Sequence, residues 1–159
     1  REEDGEQAIL CDMNKIIEEL CARYQRTGIQ IRCSLEALPL VCVKPLAISR
    51  MLTNLVENAL NYGGNEVEIQ THSEQQGIHI SILDRGPGIP GQDIPRLRQP
   101  FTRLEAARGG KPGAGLGLAI VERIVSQHGG TLTLSNRDGG GLHAQIMLPI
   151  PAVEGHTTC

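Results

Sequence analysis

The sequence predicts an α+β fold, a two-layer sandwich with helices on one face of a mixed sheet, and three observations lead there. Two pairs of alternating segments, 67–71 with 78–84 and 131–136 with 142–148, follow one another at hairpin spacing. A doubly wound parallel sheet would need a crossover helix between them. Three longer segments, 13–26, 45–63 and 116–128, instead carry apolar residues at helical steps. The chain's 159 residues allow one domain with a proper core, and 40% hydrophobic with 21% charged residues is ordinary globular composition.

Taken in order, residues 8–11 read as a short strand. Asp12 is placed to N-cap a helix from Met13 to Arg26, where Ile16, Leu20 and Tyr24 recur every fourth position. Ile29, Ile31 and Cys33 alternate as a strand ending near Leu35, and residues 40–43 form another. Pro45 opens the central helix at its first position, where its missing N–H costs nothing, and Gly63-Gly64 ends it. Val67, Ile69 and Thr71 alternate with polar neighbours; a polar loop to Gly77 follows. In the next strand Asp84 has the parity of Ile78, Ile80 and Ile82. A carboxylate directed at the apolar face is expensive without a partner, so Asp84 is flagged as functional.

Residues 85–115 lose periodicity, apart from a candidate helix at 93–98, and read as a lid or binding loop. A helix from Leu116 to His128 stops at Gly129-Gly130. The last two strands flank Arg137-Asp138-Gly139-Gly140-Gly141 as a hairpin. The expected organisation is a linker end at 1–7, one domain at 8–149 and a flexible tail at 150–159.

The polar start, Arg1 to Gln7, is unlike a signal peptide, and no apolar run approaches a membrane span. Net charge is −3 with no basic block, which leaves a nucleic-acid surface without its electrostatic source. Five cysteines form no Cys-x-x-Cys pair; the odd count suggests a reducing compartment, with Cys33 and Cys42 as small core residues. Tyr24, Tyr62 and Phe101 are the sole aromatics, so the core must be aliphatic.

Three features carry chemistry. Along the central helix Asn54, Glu57, Asn58 and Asn61 share one side, opposite Ile48, Leu52, Leu55, Val56 and Ala59. Asparagine is a mediocre helix former, so an amide stripe suits oxygens aimed at something specific; Tyr62 lies at its seam. Second, Asp84-Arg85-Gly86-Pro87-Gly88-Ile89-Pro90 runs a carboxylate into a turn whose glycines let backbone approach a flat ligand. A carboxylate only accepts hydrogen bonds, which suits the amino group of adenine and not the carbonyl of guanine. Third, Gly113-Ala114-Gly115-Leu116-Gly117-Leu118 opens into a helix whose N-terminal amides favour phosphate. No Lys-Ser or Lys-Thr follows and no strand leads into it, which disfavours the P-loop and the dinucleotide fingerprint.

In this order the motifs resemble the catalytic ATP-binding domain of sensor histidine kinases in the GHKL superfamily. The N box matches Asn54 to Gly63 and the G1 box Asp84 to Pro90. The F box matches Pro100-Phe101-Thr102-Arg103 and the G2 box Gly113 to Leu118, so the likeness covers about residues 8 to 149. It implies the Bergerat fold, a mainly antiparallel sheet of about five strands with three main helices on one face and an ATP lid. It also implies the ligands, ATP and Mg²⁺. Asp84 would bind the adenine amino group, Tyr62 would pack on the base, and Gly86, Gly88 and Ile89 would shape its pocket. Asn58 would hold magnesium through its oxygen, with Asn54 one turn earlier beside the phosphates. Gly113, Ala114, Gly115, Leu116, Gly117 and Leu118 would wrap the phosphates and Arg103 neutralise them.

Asn54 bears on the reaction. Hydrolytic relatives typically carry a water-activating glutamate there, and an amide cannot be that base. The resemblance therefore implies phosphoryl transfer from ATP to a histidine, with Asn54, Asn58 and Arg103 as the catalytic set. There are departures: Asn61, also in the implied nucleotide set, replaces a common Lys or Arg, shifting phosphate binding toward Arg103, Arg108 or Lys111. Glu105 sits one place later than the acidic residue often found after the F-box arginine. His72, His79, His128, His143 and His156 lack the phosphoacceptor context, an acidic neighbour and then Thr-Pro. The expected partners are thus a separate dimerisation and phosphoacceptor domain and a response regulator, with no nucleic acid. This chain alone is expected to be monomeric, its parent a homodimeric inner-membrane sensor with this domain in the cytoplasm. A GHKL serine kinase or ATPase, or a nucleotide-free adaptor, are the alternatives.

Overall fold

The computed structural model describes residues 5–63, 66–88, 117–150 and 159, and for Tyr62, Gly63 and Gly117 the backbone alone. Within them the chain runs β1 (Ile9–Cys11), α1 (Met13–Arg26), β2 (Arg32–Leu35), β3 (Val41–Val43), α2 (Pro45–Gly63), β4 (Glu68–Glu74), β5 (Gly77–Leu83), α3 (Gly117–Gln127), β6 (Thr131–Asn136) and β7 (Leu142–Pro149). The main sheet has the order β2-β4-β5-β7-β6, and β1 pairs with β3 as a separate ribbon. Only β2–β4 is parallel, the two being joined through β3 and α2; the other pairs are antiparallel. This is the α+β sandwich the spacing predicts.

Helix ends follow local chemistry. Asp12 accepts from the Lys15 N–H at 3.3 Å as the N-cap of α1. At the other end, Ile29 N–H bonds Tyr24 O and Gly28 N–H bonds Gln25 O, with Gly28 at φ 88°. The same paired bonds close α3, from Gly130 to Val125 O and from Gly129 to Ser126 O. Both are Schellman stops, where glycine takes the left-handed position at least cost. At the start of α2, Glu6 accepts from the Leu46 and Ala47 N–H groups at 2.6 and 3.1 Å. The carboxylate thereby satisfies two orphan donors at the positive end of the helix.

The core lies between the helices and one face of the sheet. Ile48, Met51, Leu52 and Val56 of α2 are fully buried, as are Ile78 and Ile80 of β5, Ile146 of β7 and Val121, Ile124 and Val125 of α3. On α1 the buried residues are Met13, Ile17 and Leu20, with Ile16 and Tyr24 only partly covered.

Four expectations need correction. β2 begins at Arg32, so Ile29 precedes it as part of the helix stop and Ile31 lies outside it. β4 continues through His72, Ser73 and Glu74 and meets β5 in a tight hairpin where a polar loop was expected. Cys42 is not a simple core residue: it is half-buried and forms a disulfide with Cys159, 117 positions away, with a Cα–Cα distance of 5.5 Å. Cys33 is exposed, with its Sγ 3.0 Å from that of Cys21.

Candidate functional site

Asp84 leaves the end of β5 on the helix side of the sheet, as its parity with the isoleucines requires, and is only 2% exposed. Its Oδ1 accepts from the N–H groups of Gly86 at 2.9 Å and Leu142 at 3.0 Å. Bonds to a charged acceptor are worth about 1.5–3 kcal/mol each, so they offset burial and fix the plane of the carboxylate. The Asp84 backbone is held as firmly. Its N–H donates to Leu142 O at 3.1 Å, and its carbonyl accepts from Arg137 Nη1 at 2.8 Å. Arg85 completes the clamp by donating to the carbonyls of Asp138 and Gly140 at 2.9 and 3.0 Å.

Close approach at this junction depends on glycine. Gly141 has φ 112°, and a Cβ there would overlap the Asp84 carbonyl oxygen. Gly88 has φ 76°, and a Cβ there would overlap Oδ1 of Asn136. Both positions have left-handed backbone; at Gly141 the obstacle is backbone and cannot move aside, whereas at Gly88 it is the end of an exposed side chain.

From the other layer, α2 presents Asn58 to the same place. Asn58, Asp84 and Leu118 line one cavity of about 20 Å³ together with Leu55, Ala59, Ile82, Leu134, Leu142 and Ala144. That is room for about one water molecule, so these residues form a floor. Nδ2 of Asn58 is buried without a hydrogen-bond partner among the described residues, and so is Nδ2 of Asn54, one turn earlier. Two orphaned amides on consecutive turns are a cost that the described residues do not offset.

The amide stripe divides in two. Asn54 and Asn58 turn inward, whereas Glu57 and Asn61 are exposed. Glu57 accepts from the Tyr24 hydroxyl at 2.5 Å, which ties α2 to α1; burial and then the Glu57 carboxylate push the Tyr24 phenol above its ordinary pKa. Leu118 is 3% exposed, so its side chain belongs to the floor. Gly117 begins α3. Ile89, Arg103, Gly113, Ala114, Gly115 and Leu116 lie outside the described residues, as do Phe101, Glu105, Arg108, Lys111 and the 93–98 segment.

A family profile described as histidine kinase-, DNA gyrase B- and HSP90-like ATPase matches residues 43–152, the span that carries Asn54, Asn58 and Asp84. The chain belongs to this HATPase_c family. Its similarity is to sensor kinases, among them the following. The HATPase_c domain is 35% identical to the sensor histidine kinase component HK1 of Mycobacterium tuberculosis, over 89% of this chain and 83% of that protein. It is 33% identical to a probable sensor histidine kinase HK of the same organism, over 98% of this chain but 41% of the relative. The chain thus spans less than half of that relative's length. The solved histidine kinase domain of the E. coli osmosensor EnvZ aligns at TM-score 0.74 and 34% identity, over 96% of this chain and 95% of that one. This is therefore a GHKL catalytic domain of the sensor histidine kinase type, a family that generally binds ATP and Mg²⁺.

The residues of this HATPase_c domain fit such a ligand. An asparagine amide offers NH₂ to phosphate oxygen, which would relieve both orphaned Nδ2 groups, and separately a carbonyl oxygen to a hard cation. Sequence reasoning missed the clamp residues Arg85, Arg137 and Gly141. The available signal was the run of three glycines in the last hairpin, read only as a turn.

Proposed function

We propose that this domain binds Mg-ATP and donates its γ-phosphoryl group to a histidine on a separate dimerisation and phosphoacceptor domain. The observation that carries the reading is the buried Asp84 carboxylate sharing one cavity with the orphaned amide of Asn58. The adenine amino group would sit against Asp84, above a floor too small to take the base itself. Asn58 and Asn54 would face the phosphates, with Asn58 the magnesium ligand; the bound ion would spread charge over the phosphate oxygens. Arg103, Tyr62, Asn61, Ile89 and the 113–118 glycine segment complete the proposed site.

In the transfer step a nitrogen lone pair of the acceptor histidine forms a bond to the γ-phosphorus. The bond from that phosphorus to the β–γ bridging oxygen breaks, and ADP leaves. Asn54 has no basic group with which to activate water, so transfer is favoured over hydrolysis. The phosphoryl group then passes to a response regulator. The parent protein would be a homodimeric sensor of the bacterial inner membrane, with this domain, monomeric by itself, in the cytoplasm. No helix among the described residues is long and apolar enough to cross a membrane.

The test is to mix the domain with a histidine-bearing dimerisation hairpin from a sensor kinase and γ-labelled ATP. Acid-labile label on the hairpin is expected. Steady phosphate release with no phosphohistidine would favour an ATPase, and label on serine would favour a serine kinase.

A further inference from the structure

On the face of the sheet that the helices leave open, the β4–β5 hairpin gathers three metal-ligating side chains. His72 and His79 are directly opposite in the antiparallel register. Glu74, two residues beyond His72, has the same parity and projects to the same face. The helix side is taken by Ile69, Thr71, Ile78 and Ile80, all buried. The trio therefore lies across the sheet from Asp84.

The two imidazoles stack with centroids 4.6 Å apart and planes 3° from parallel. Nε2 of His72 is 3.3 Å from Oε2 of Glu74, and Nε2 of His79 is 3.3 Å from Oε1. One ligand atom from each residue lies within 4.8 Å of the other two. Ligands about 2.0–2.2 Å from a tetrahedral centre are about 3.3–3.5 Å apart, which matches both His–Glu spacings; each is to a different Glu74 oxygen, and the parallel rings must tilt toward each other to share an ion. Nδ1 of His79 is buried without a partner among the described residues, which leaves Nε2 as the engaged nitrogen of that ring.

The support is rigid. β5 is paired on both sides, by β4 and β7, while β4 is paired by β2 as far as Thr71 and by β5 through Glu74. Ligands on paired strands hold their geometry better than ligands on loops. Next to the turn, Ile150 N–H bonds Gln76 O at 3.0 Å.

We propose that His72, Glu74 and His79 form a binding site for a borderline divalent transition-metal ion, Zn²⁺ being the representative, separate from the nucleotide pocket. Two imidazoles and a carboxylate suit zinc, cobalt, nickel or copper, whereas magnesium and calcium prefer all-oxygen shells. Glu74 is 64% exposed and His72 37%, so the fourth coordination position opens to solvent, where water or an external group completes the shell.

The experiment uses the chelator-treated domain without nucleotide or magnesium, in a Cys21→Ser/Cys33→Ser background that removes the thiol pair on the helix side of the sheet as a competitor. Calorimetric titration with Zn²⁺ should show one ion per chain. Co²⁺ should give visible absorption without thiolate charge-transfer bands. His79→Ala should weaken Zn²⁺ binding by more than about tenfold, since even the outer-shell partner of a metal ligand is worth that much. His72→Asn and Glu74→Gln alter positions more open than His79 and should do the same even if the His79 substitution disturbs folding. Each should leave the circular dichroism spectrum unchanged. A stoichiometry of zero in the Cys21→Ser/Cys33→Ser domain at Zn²⁺ concentrations on the order of 100 µM would overturn the proposal. So would affinity unchanged in His72→Asn and Glu74→Gln.

Discussion

Oδ1 of Asp84 and the backbone N–H of Leu142 are 3.0 Å apart, joining the end of β5 to the start of β7. The Gly86 N–H shares that oxygen at 2.9 Å. One carboxylate thus holds a strand junction and faces a cavity, and the two duties separate on mutation. Asp84→Asn keeps a carbonyl oxygen for the two N–H donors but presents NH₂ where the adenine amino group needs an acceptor. Folding should survive and ATP affinity should fall more than tenfold, about 1.4 kcal/mol. Asp84→Ala strands both donors and should cost about 2–6 kcal/mol of stability, at about 1–3 per donor. Urea unfolding and ATP titration on both variants separate the effects; equal stability losses would contradict this division.

Asn58 offers the reverse contrast. Its orphaned Nδ2 burdens the unliganded fold, so Asn58→Ala should change stability by no more than about 1 kcal/mol, the loss of packing being offset by removal of an unmet donor. ATP binding with Mg²⁺ should fall far more than binding in chelator. Equal losses in the two conditions would count against its metal-ligand role.

Gly141 tests the clamp from the backbone side. At φ 112°, with a Cβ overlapping the Asp84 carbonyl, Gly141→Ala should destabilise by more than about 2 kcal/mol and weaken ATP binding as Asp84 moves. Gly139 has φ 82° but room beside it, with Arg85 Nη1 its nearest neighbour at 3.5 Å, so Gly139→Ala should carry backbone strain alone and cost less. A larger loss at 139 than at 141, by chemical denaturation, would refute the close-approach argument.

His143 adds a pH term. Burial, and then the Arg137 charge, hold its imidazole below the ordinary value of 6.5, and its Nε2 lies 2.8 Å from Ser81 Oγ. Below pH 6.5 the unfolded chain binds protons that the folded one resists. Stability from this group is therefore complete above pH 6.5 and is lost as pH falls toward the folded value. Unfolding free energies from pH 7.5 to 5 should decline less in His143→Gln than in the wild type; identical slopes would remove His143 as a contributor.

Much of this architecture is legible in the chain. Asp12, Pro45, Gly28 and Gly129 act on their own few neighbours, so helix bounds follow from local chemistry. Asp84 could be placed because strand parity carries a side chain to a known face. The β4 extension was hidden because His72-Ser73-Glu74 has no apolar alternation; pairing with β5 holds it in the sheet. The same gap concealed the meeting of His72 with His79. Pairing of Cys42 with Cys159 depends on a distance between residues remote in sequence, which spacing cannot supply. Arg85 and Arg137 were invisible as a clamp because they bond backbone carbonyls, which every residue offers.

The central claim is that the Asp84 carboxylate selects a purine by its amino group. Titrating the wild-type domain with Mg-ATP and Mg-GTP in parallel tests it most directly. ATP should bind at least about tenfold more tightly, since GTP sets a carbonyl oxygen against a buried carboxylate. Equal affinity for the two nucleotides would contradict the account.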